Sequence, residues 1–549
     1  MIAVVPAQRV NPAPVGLQPP PVTRSLWVNE DNAHFYDEHP HASMTEAGVR
    51  ALVDRYALGS GVAGLILCVN VQRALFDSRV WEPLYHGYDP DGPDDQPLLR
   101  SLSPEAASMT PGQRGRHWVH SLWLLKHRGV DHPAVWLDQC RRRSVAGWLT
   151  VRMNDCHHND DEEAFWHSSL WKTRPDLRRV GHRDGDWFES ALDFGKPEVV
   201  EHYMALIGEL FERYDFDGIE LDWMRWVRHF RPGHEQAGSA VLTDIMRRTR
   251  HLAEAAARRR GRPVHIGVRL PSDPQAAIAL GYDVVTWGRE QLVDQVVLCP
   301  FFEQAEFDWP LGLWRALLGE RVAILCQPEA AVRPYPEAGR SELLRDYAFL
   351  YGSAASARRR GADGIYLFNE CYRMAPGDSY TASRPGLIQE LFTDIADDAR
   401  LSRMGRRHPV SYAQVVAPGA GTASVLPVSL TKPRGYWSFA RHGRVIALRI
   451  CLGQRPTNGR PRLELGFDTP GASAGMRVWL NGRELTNPTA PGDVRRPSTA
   501  VERLAFAPDA ALLLDDVNLV ELLPAEAAPG HLVWAEVLVE PAAGAPAEA

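Results

Sequence analysis

The chain lacks what a membrane or nucleic-acid protein carries. No stretch approaches the roughly 18 consecutive apolar residues of a membrane span, although 45% of the 549 residues are hydrophobic. The 61 Lys+Arg are outnumbered by 68 Asp+Glu, and the net charge of −7 is interspersed rather than striped, which gives no electrostatic footprint for nucleic acid. Cysteine is scarce: seven in all, an odd number without C-x-x-C spacing, a usage that favours a reducing compartment. Cys68, Cys299 and Cys326 fall in apolar runs, where a thiol acts as a small core residue. The N-terminus has no basic start followed by an apolar core, so a secretory signal is not expected and the cytoplasm is the expected location. Proline, by contrast, crowds the first residues and ends in Pro19-Pro20-Pro21; residues 1–23 are expected to be a disordered or surface-hugging lead.

From residue 24 to about residue 405, short apolar runs alternate with amphipathic stretches, the signature of parallel βα units. Eight runs stand out: Ser25–Glu30, Val62–Asn70, Val145–Asn154, Asp217–Trp223, Pro263–Leu270, Asp294–Pro300, Val322–Gln327 and Asp363–Asn369. Helical spacing over Val199–Tyr214 and Ser239–Arg260, the latter closed by Gly261, supplies crossovers. The clusters Arg258-Arg259-Arg260 and Arg358-Arg359-Arg360 sit where helix C-termini are expected, and positive charge there suits the helix dipole. These features predict an α/β fold, a (β/α)8 TIM barrel. The segments Phe216-Asp217-Gly218-Ile219 and Ala362-Asp363-Gly364-Ile365 echo each other, either as an internal half-barrel similarity or, more cheaply, as two strands solving one geometric problem. Past residue 406 the helical period gives way to short alternating runs broken by Gly, Pro and Asn481-Gly482, which predicts a C-terminal antiparallel β-sandwich over residues 406–540. Residues 541–549 are low in complexity and expected to be disordered.

The fourth run carries the chemistry. Side chains alternate across a strand, so Ile219, Leu221 and Trp223 share one face and Glu220 and Asp222 the other. Buried carboxylates are costly unless paired or used; a structural ion-pair strand is the alternative to a catalytic one. Barrel enzymes draw reactive groups from the C-terminal ends of their strands, and these ends are polar throughout. They carry Asp31 and His34, then Arg152, Asn154, Asp155 and His157, then Arg225, Arg269, Glu303, Gln327 with Glu329, and Asn369 with Glu370. Alternation turns Arg152, Glu220 and Arg269 inward together. A carboxylate between two guanidiniums is expected to have a lowered pKa, so Glu220 is assigned a bracing role. Asp222, nearer the mouth, is the candidate to attack an anomeric carbon or stabilise positive charge there. Glu303, among Phe301, Phe302, Phe307 and Trp309, is the candidate acid, with a pKa raised by that setting. Glu370 and Asp155, with Glu220, stand in reserve. Arg152, Asn154, His157, Arg225, Arg269, Trp223, Asn369 and Asp31 are candidates to bind substrate. Trp81, Tyr85, Trp166, Trp171, Trp187, Trp226 and Trp309 are further aromatics able to stack on sugar. Adjacent His157 and His158 do not make the i, i+4 pair of a zinc helix, and paired acids need neither metal nor cofactor.

Residues Asp217-Gly218-Ile219-Glu220-Leu221-Asp222-Trp223-Met224-Arg225 resemble the Asp-Gly-Ile-x-Leu-Asp-x-x-Arg strand of bacterial glycoside hydrolases of the family-10-like glycosyl hydrolase group. Arg152-Met153-Asn154-Asp155 with His157, and Ala191-Leu192-Asp193-Phe194, extend the resemblance, which covers roughly residues 24 to 400. Asp217, Glu220 and Asp222 are also similar to the acidic ladder of chitinase-like family 18, whose catalytic Glu position is Met224 in this chain. Gly218-x-x-x-Asp222 resembles the spacing that ends in the nucleophile of the alpha-amylase superfamily. The Val-Trp-Leu-Asn-Gly run at 478–482 resembles galactose-binding-like accessory domains. The resemblance implies a glycosidase that cleaves an oligo- or polysaccharide with a carboxylate pair. A non-catalytic carbohydrate-binding barrel and a metal-assisted lyase or hydrolase using Asp155 and His157 are the alternatives.

Overall fold

The structure, a computed structural model, describes residues 25–31, 33–99, 111–180, 189–300, 304–332, 344–368, 370, 387–410, 426–431, 445–456, 459–526 and 528–540. The expectations for residues 1–23 and 541–549, and those for Trp187, Glu303 and Asn369, lie outside the described residues.

Eight parallel strands close into a barrel: β1 (Ser25–Glu30), β2 (Val62–Cys68), β3 (Ala146–Arg152), β4 (Gly218–Asp222), β5 (His265–Pro271), β6 (Gln295–Cys299), β7 (Ala323–Cys326) and β8 (Gly364–Leu367), each beside its sequence neighbours and β8 against β1. Every expected run holds a strand. Helices fill the crossovers: α1 (Glu46–Ala57), α2 (Pro111–His127), α3 (His132–Arg142), α4 (Pro197–Arg213), α5 (Glu235–Arg260), α6 (Val284–Arg289), α7 (Leu311–Leu318), α8 (Tyr347–Arg359) and α9 (Leu387–Ala396). α5 ends where its arginines give way to Gly261, whose φ of 67° is the left-handed cap a Cβ would disfavour. Among the described residues no helix is long and apolar enough to cross a membrane, and the six described cysteines are buried thiols.

The Asp-Gly echo has a mechanical cause. Asp217 accepts the backbone N–H of Gly147 at the start of β3 (2.9 Å), and Asp363 accepts that of Ile324 on β7 (2.8 Å). Asp294, just before β6, does the same for Ile266 on β5 (2.8 Å). Each aspartate satisfies an amide of the preceding strand that would otherwise lie unpaired.

At the N-terminal end the lumen is filled by two indoles. Trp27 and Trp148 meet edge to face at 5.1 Å. They occupy the space that side chains would need at Gly64, Gly218 and Gly267; a Cβ on Gly267 would lie 2.7 Å from the Trp148 ring. The glycines are there because a barrel of this size holds a fixed volume of side chain per layer.

The C-terminal part forms two antiparallel sheets. One has the order β9 (Arg406–Pro409), β15 (His531–Glu540), β11 (Arg460–Phe467), β13 (Glu502–Phe506); the other β10 (Ile446–Cys451), β14 (Val517–Leu523), β12 (Arg477–Leu480). Leu448, Ile450, Val478, Leu480 and Val520 of one sheet share a core with Leu463, Phe467, Trp534 and Val537 of the other. Asn481 and Gly482, with φ of 50° and 77°, make the two-residue loop in which both centres need the left-handed region. The sheets are fastened to the barrel through α8. Arg407 pairs with Glu536 (2.9 Å) and Asp346 (2.9 Å), and Arg360 pairs with Asp516 (2.7 Å) and with Asp308.

Candidate active site

Strand register decides what the inward residues meet. Asp222 of β4 is level with Arg152 of β3 and Arg269 of β5, whereas Glu220 is level with Thr150 and Gly267. Both arginines are therefore level with Asp222, not with Glu220, so the two-guanidinium setting expected of Glu220 is absent.

Asp222, 1% exposed, closes β4 at the mouth end. Its Oδ2 takes Nη1 of Arg269 at 2.5 Å, and its Oδ1 accepts the backbone N–H groups of Met224 (3.0 Å) and Arg225 (3.2 Å). A carboxylate has about four acceptor directions, so these donors fix its orientation and leave one direction open. Arg269 extends the chain of contacts: its Nη2 donates to Gln327 (2.7 Å), whose amide donates to Glu329 (2.6 Å).

Glu220 sits one layer deeper and is fully buried. Its Oε1 accepts the Tyr366 hydroxyl at 3.0 Å. Burial pushes its carboxyl up to about 7, Arg269 pulls it down, and Asp222 pushes it up again. The expected lowering is thus reversed: without a direct guanidinium partner, the desolvation of the charged form wins.

Arg152 turns to the other side of the mouth, pairing with Asp31 and, at 2.7 Å, with Asp155. Burial pushes Asp155 up, but His157, Arg152 and Arg225 together hold it far below the usual carboxylate range. That makes it a poor proton donor. His157 bridges Asp155 (Nδ1 to Oδ1, 2.7 Å) and Arg225 (Nε2 to Nη2, 3.0 Å). A guanidinium can only donate, so Nε2 accepts and the proton sits on Nδ1, facing Asp155. Burial lowers the pKa of His157, consistent with this neutral form. Both ring nitrogens are engaged, and among the described residues no three His, Cys, Asp or Glu side chains are grouped to hold a metal.

Phe368, next after β8, lies between the two halves. The Arg269 guanidinium stands 3.8 Å from its ring centre and that of Arg225 5.3 Å, distances at which a ring face attracts a cation. The loops after β3 and β4 each hold a non-glycine residue in the left-handed region, His158 at φ 58° and Trp226 at φ 80°. Such backbone strain costs on the order of 1–3 kcal/mol and gathers at working sites.

Two candidates face elsewhere. Trp223 is fully buried in the helix layer against Phe194, His229, Tyr282 and Trp287, as its alternation with Asp222 requires; it does not reach the mouth. Asn154 uses its amide on the carbonyls of Leu192 (2.9 Å) and Arg228 (2.9 Å) and accepts from the Leu192 N–H, so it ties loops together. Trp81, Trp171 and Trp309 are likewise buried, with their indole N–H groups spent on main-chain carbonyls. Glu370 is buried, 1% exposed. His34 pairs with Glu30 at 2.9 Å. Tyr366 on β8 and Phe368 just beyond it are mouth residues that the two-residue alternation from Gly364 carries inward.

No family model matches the chain, and no curated protein matches it. Solved structures similar to it include a cycloisomaltooligosaccharide glucanotransferase from a Paenibacillus species (10% identity, 94% of this chain and 57% of that one, TM-score 0.31). Others are the PgaB glycoside hydrolase domain from Bordetella bronchiseptica (14%, 69% and 99%, TM-score 0.36) and an alpha-amylase from Malbranchea cinnamomea (12%, 93% and 98%, TM-score 0.36). The chain thus spans little more than half the length of the glucanotransferase.

Proposed function

We propose that the chain is a glycosidase cleaving an oligo- or polysaccharide, with residues 24–405 as the catalytic barrel and residues 406–540 as an accessory sandwich that braces it. The observation that carries this reading is the carboxylate held in a fixed orientation at the mouth end of β4, above a second buried acid. Asp222 is oriented by Arg269 and two backbone amides, and Glu220 is held protonated toward neutrality by burial first of all.

In this reading Asp222 presents a fixed oxygen to the positive charge that develops at the anomeric carbon. Its donors are in place before the reaction, so no reorganisation is needed when the charge appears. Glu303 gives its proton to the departing oxygen, as its aromatic neighbours suggest. His157, whose side chain is 24% exposed, and the partly exposed Arg225 meet the sugar first. Asp31, Arg152, Arg269 and Asn369 complete the substrate contacts, and the family-10-like group supplies the relatives by resemblance. One observation favours a second reading, a binding barrel without catalysis: Asp31, Asp155 and Asp222 are each paired with an arginine.

A panel of aryl glycosides and natural oligosaccharides, assayed with wild type beside Asp222→Asn, separates the two. Catalysis predicts a kcat loss of roughly 10³-fold or more with an unchanged circular dichroism spectrum. Oligosaccharide binding by both proteins with turnover by neither supports the binding barrel; equal turnover removes Asp222 from the mechanism.

A further inference from the structure

A cavity of about 560 Å³ lies where the C-terminal end of α8 and the short helix Asp398–Leu401 meet β9. The end of α8 leads into the start of β8, so this cavity is at the barrel's N-terminal end, away from the mouth. Its lining is charged: Arg358, Arg359, Arg406, Asp398 and Asp515. Arg358 pairs with Asp398 (3.6 Å) and Arg359 with Asp515 (3.2 Å).

Arg406 has no such partner among the described residues. It is 1% exposed, donates weakly to the carbonyls of Leu452 (3.4 Å) and Gln454 (3.2 Å), and leaves its Nε without a hydrogen bond. Burial alone lowers its pKa to about 10. His408, on the same face of β9, carries no negative charge to balance it; burial and the Arg406 charge lower its pKa further. An uncompensated guanidinium out of water is among the least favourable groups in a folded protein. This one borders a cavity large enough for a small organic molecule.

We propose that the cavity is a binding site for a small oxyanion, a carboxylate- or phosphate-bearing molecule received by Arg406. The planar fork of donors on a guanidinium fits either group through two parallel hydrogen bonds. A ligand there touches α8 and β9 at once and so ties barrel to sheets. The alternative role for Arg406 is to hold the Leu452–Gln454 turn, with no ligand.

The test uses the full chain, with inorganic phosphate and D-glucuronate as probes and sodium chloride at matched ionic strength as control. Thermal unfolding and titration calorimetry are the readouts. At saturation one probe raises Tm by roughly 2–4 °C or more beyond the salt control, and the probe that does so identifies phosphate or carboxylate as the preferred group. Arg406→Gln weakens that binding at least tenfold. Ser402→Glu, on the cavity wall, supplies a carboxylate from the chain itself; it raises Tm without ligand and abolishes the probe's effect, which keeps the test decisive if Arg406→Gln fails to fold. Absence of heat and of any Tm shift with both probes on wild type overturns the proposal. So does binding that survives unchanged in Arg406→Gln or in Ser402→Glu.

Discussion

The two ends of the barrel lumen are built by the same strands and are filled differently. At the bottom Gly64, Gly218 and Gly267 make room for Trp27 and Trp148, and most of the filling is aromatic. Along β4, two residues take the chain from Gly218 to the buried carboxyl of Glu220, and two more to the ion pair of Asp222. The lower end is held by volume and the upper end by matching of charge. A void or a clash disturbs the first, and a lost counter-ion disturbs the second.

The largest effect should come from breaking the match at the top. Arg269→Met strands the Asp222 carboxylate, both groups being at most 3% exposed, and should cost about 3–5 kcal/mol in urea unfolding. The double variant Arg269→Met/Asp222→Asn should recover most of that loss; if it does not, Arg269 contributes by packing and the contrast between the ends fails. At the bottom, Gly267→Val pushes a side chain into the Trp148 ring, which a Cβ alone would approach to 2.7 Å. It should cost about 1–3 kcal/mol, with no change in the pH profile of stability.

The third effect is a slope with pH, not a fixed loss. The folded pKa of Glu220 is raised to about 7, by burial first and by Asp222 against the pull of Arg269, whereas unfolded it returns to about 4.3. Its contribution is fully present below the unfolded value and is lost as pH rises through the folded one. Between about pH 4 and 8, wild type should therefore lose stability relative to Glu220→Gln as pH rises. Parallel curves would mean that Glu220 carries no extra proton in the folded state.

Much of this arrangement is legible in the residues. The eight runs and the alternation on the fourth needed only the two-residue period of a strand, and Asp222 and Arg269 followed from it. Register did not: alternation says which face Arg152 and Glu220 share, not which rung they occupy, and the pairing of Arg152 with Asp222 rather than Glu220 is a property of the closed sheet. Reach did not either, because a long guanidinium stem lets Arg152 pass Asp222 and close on Asp31 and Asp155. An aromatic side chain alone does not mark a mouth residue: Trp223 alternates with Asp222 and so belongs to the helix layer. β9, Arg406–Pro409, has no apolar alternation to announce it; it exists because β15 needs a partner along its edge.

Phe368 gives the mouth an unexpected unity. One benzene ring is the common neighbour of two cations that answer to different sets of acids, Arg225 through His157 and Asp155, and Arg269 with Asp222. A change to that ring therefore reaches both ion-pair networks at once, although it belongs to neither.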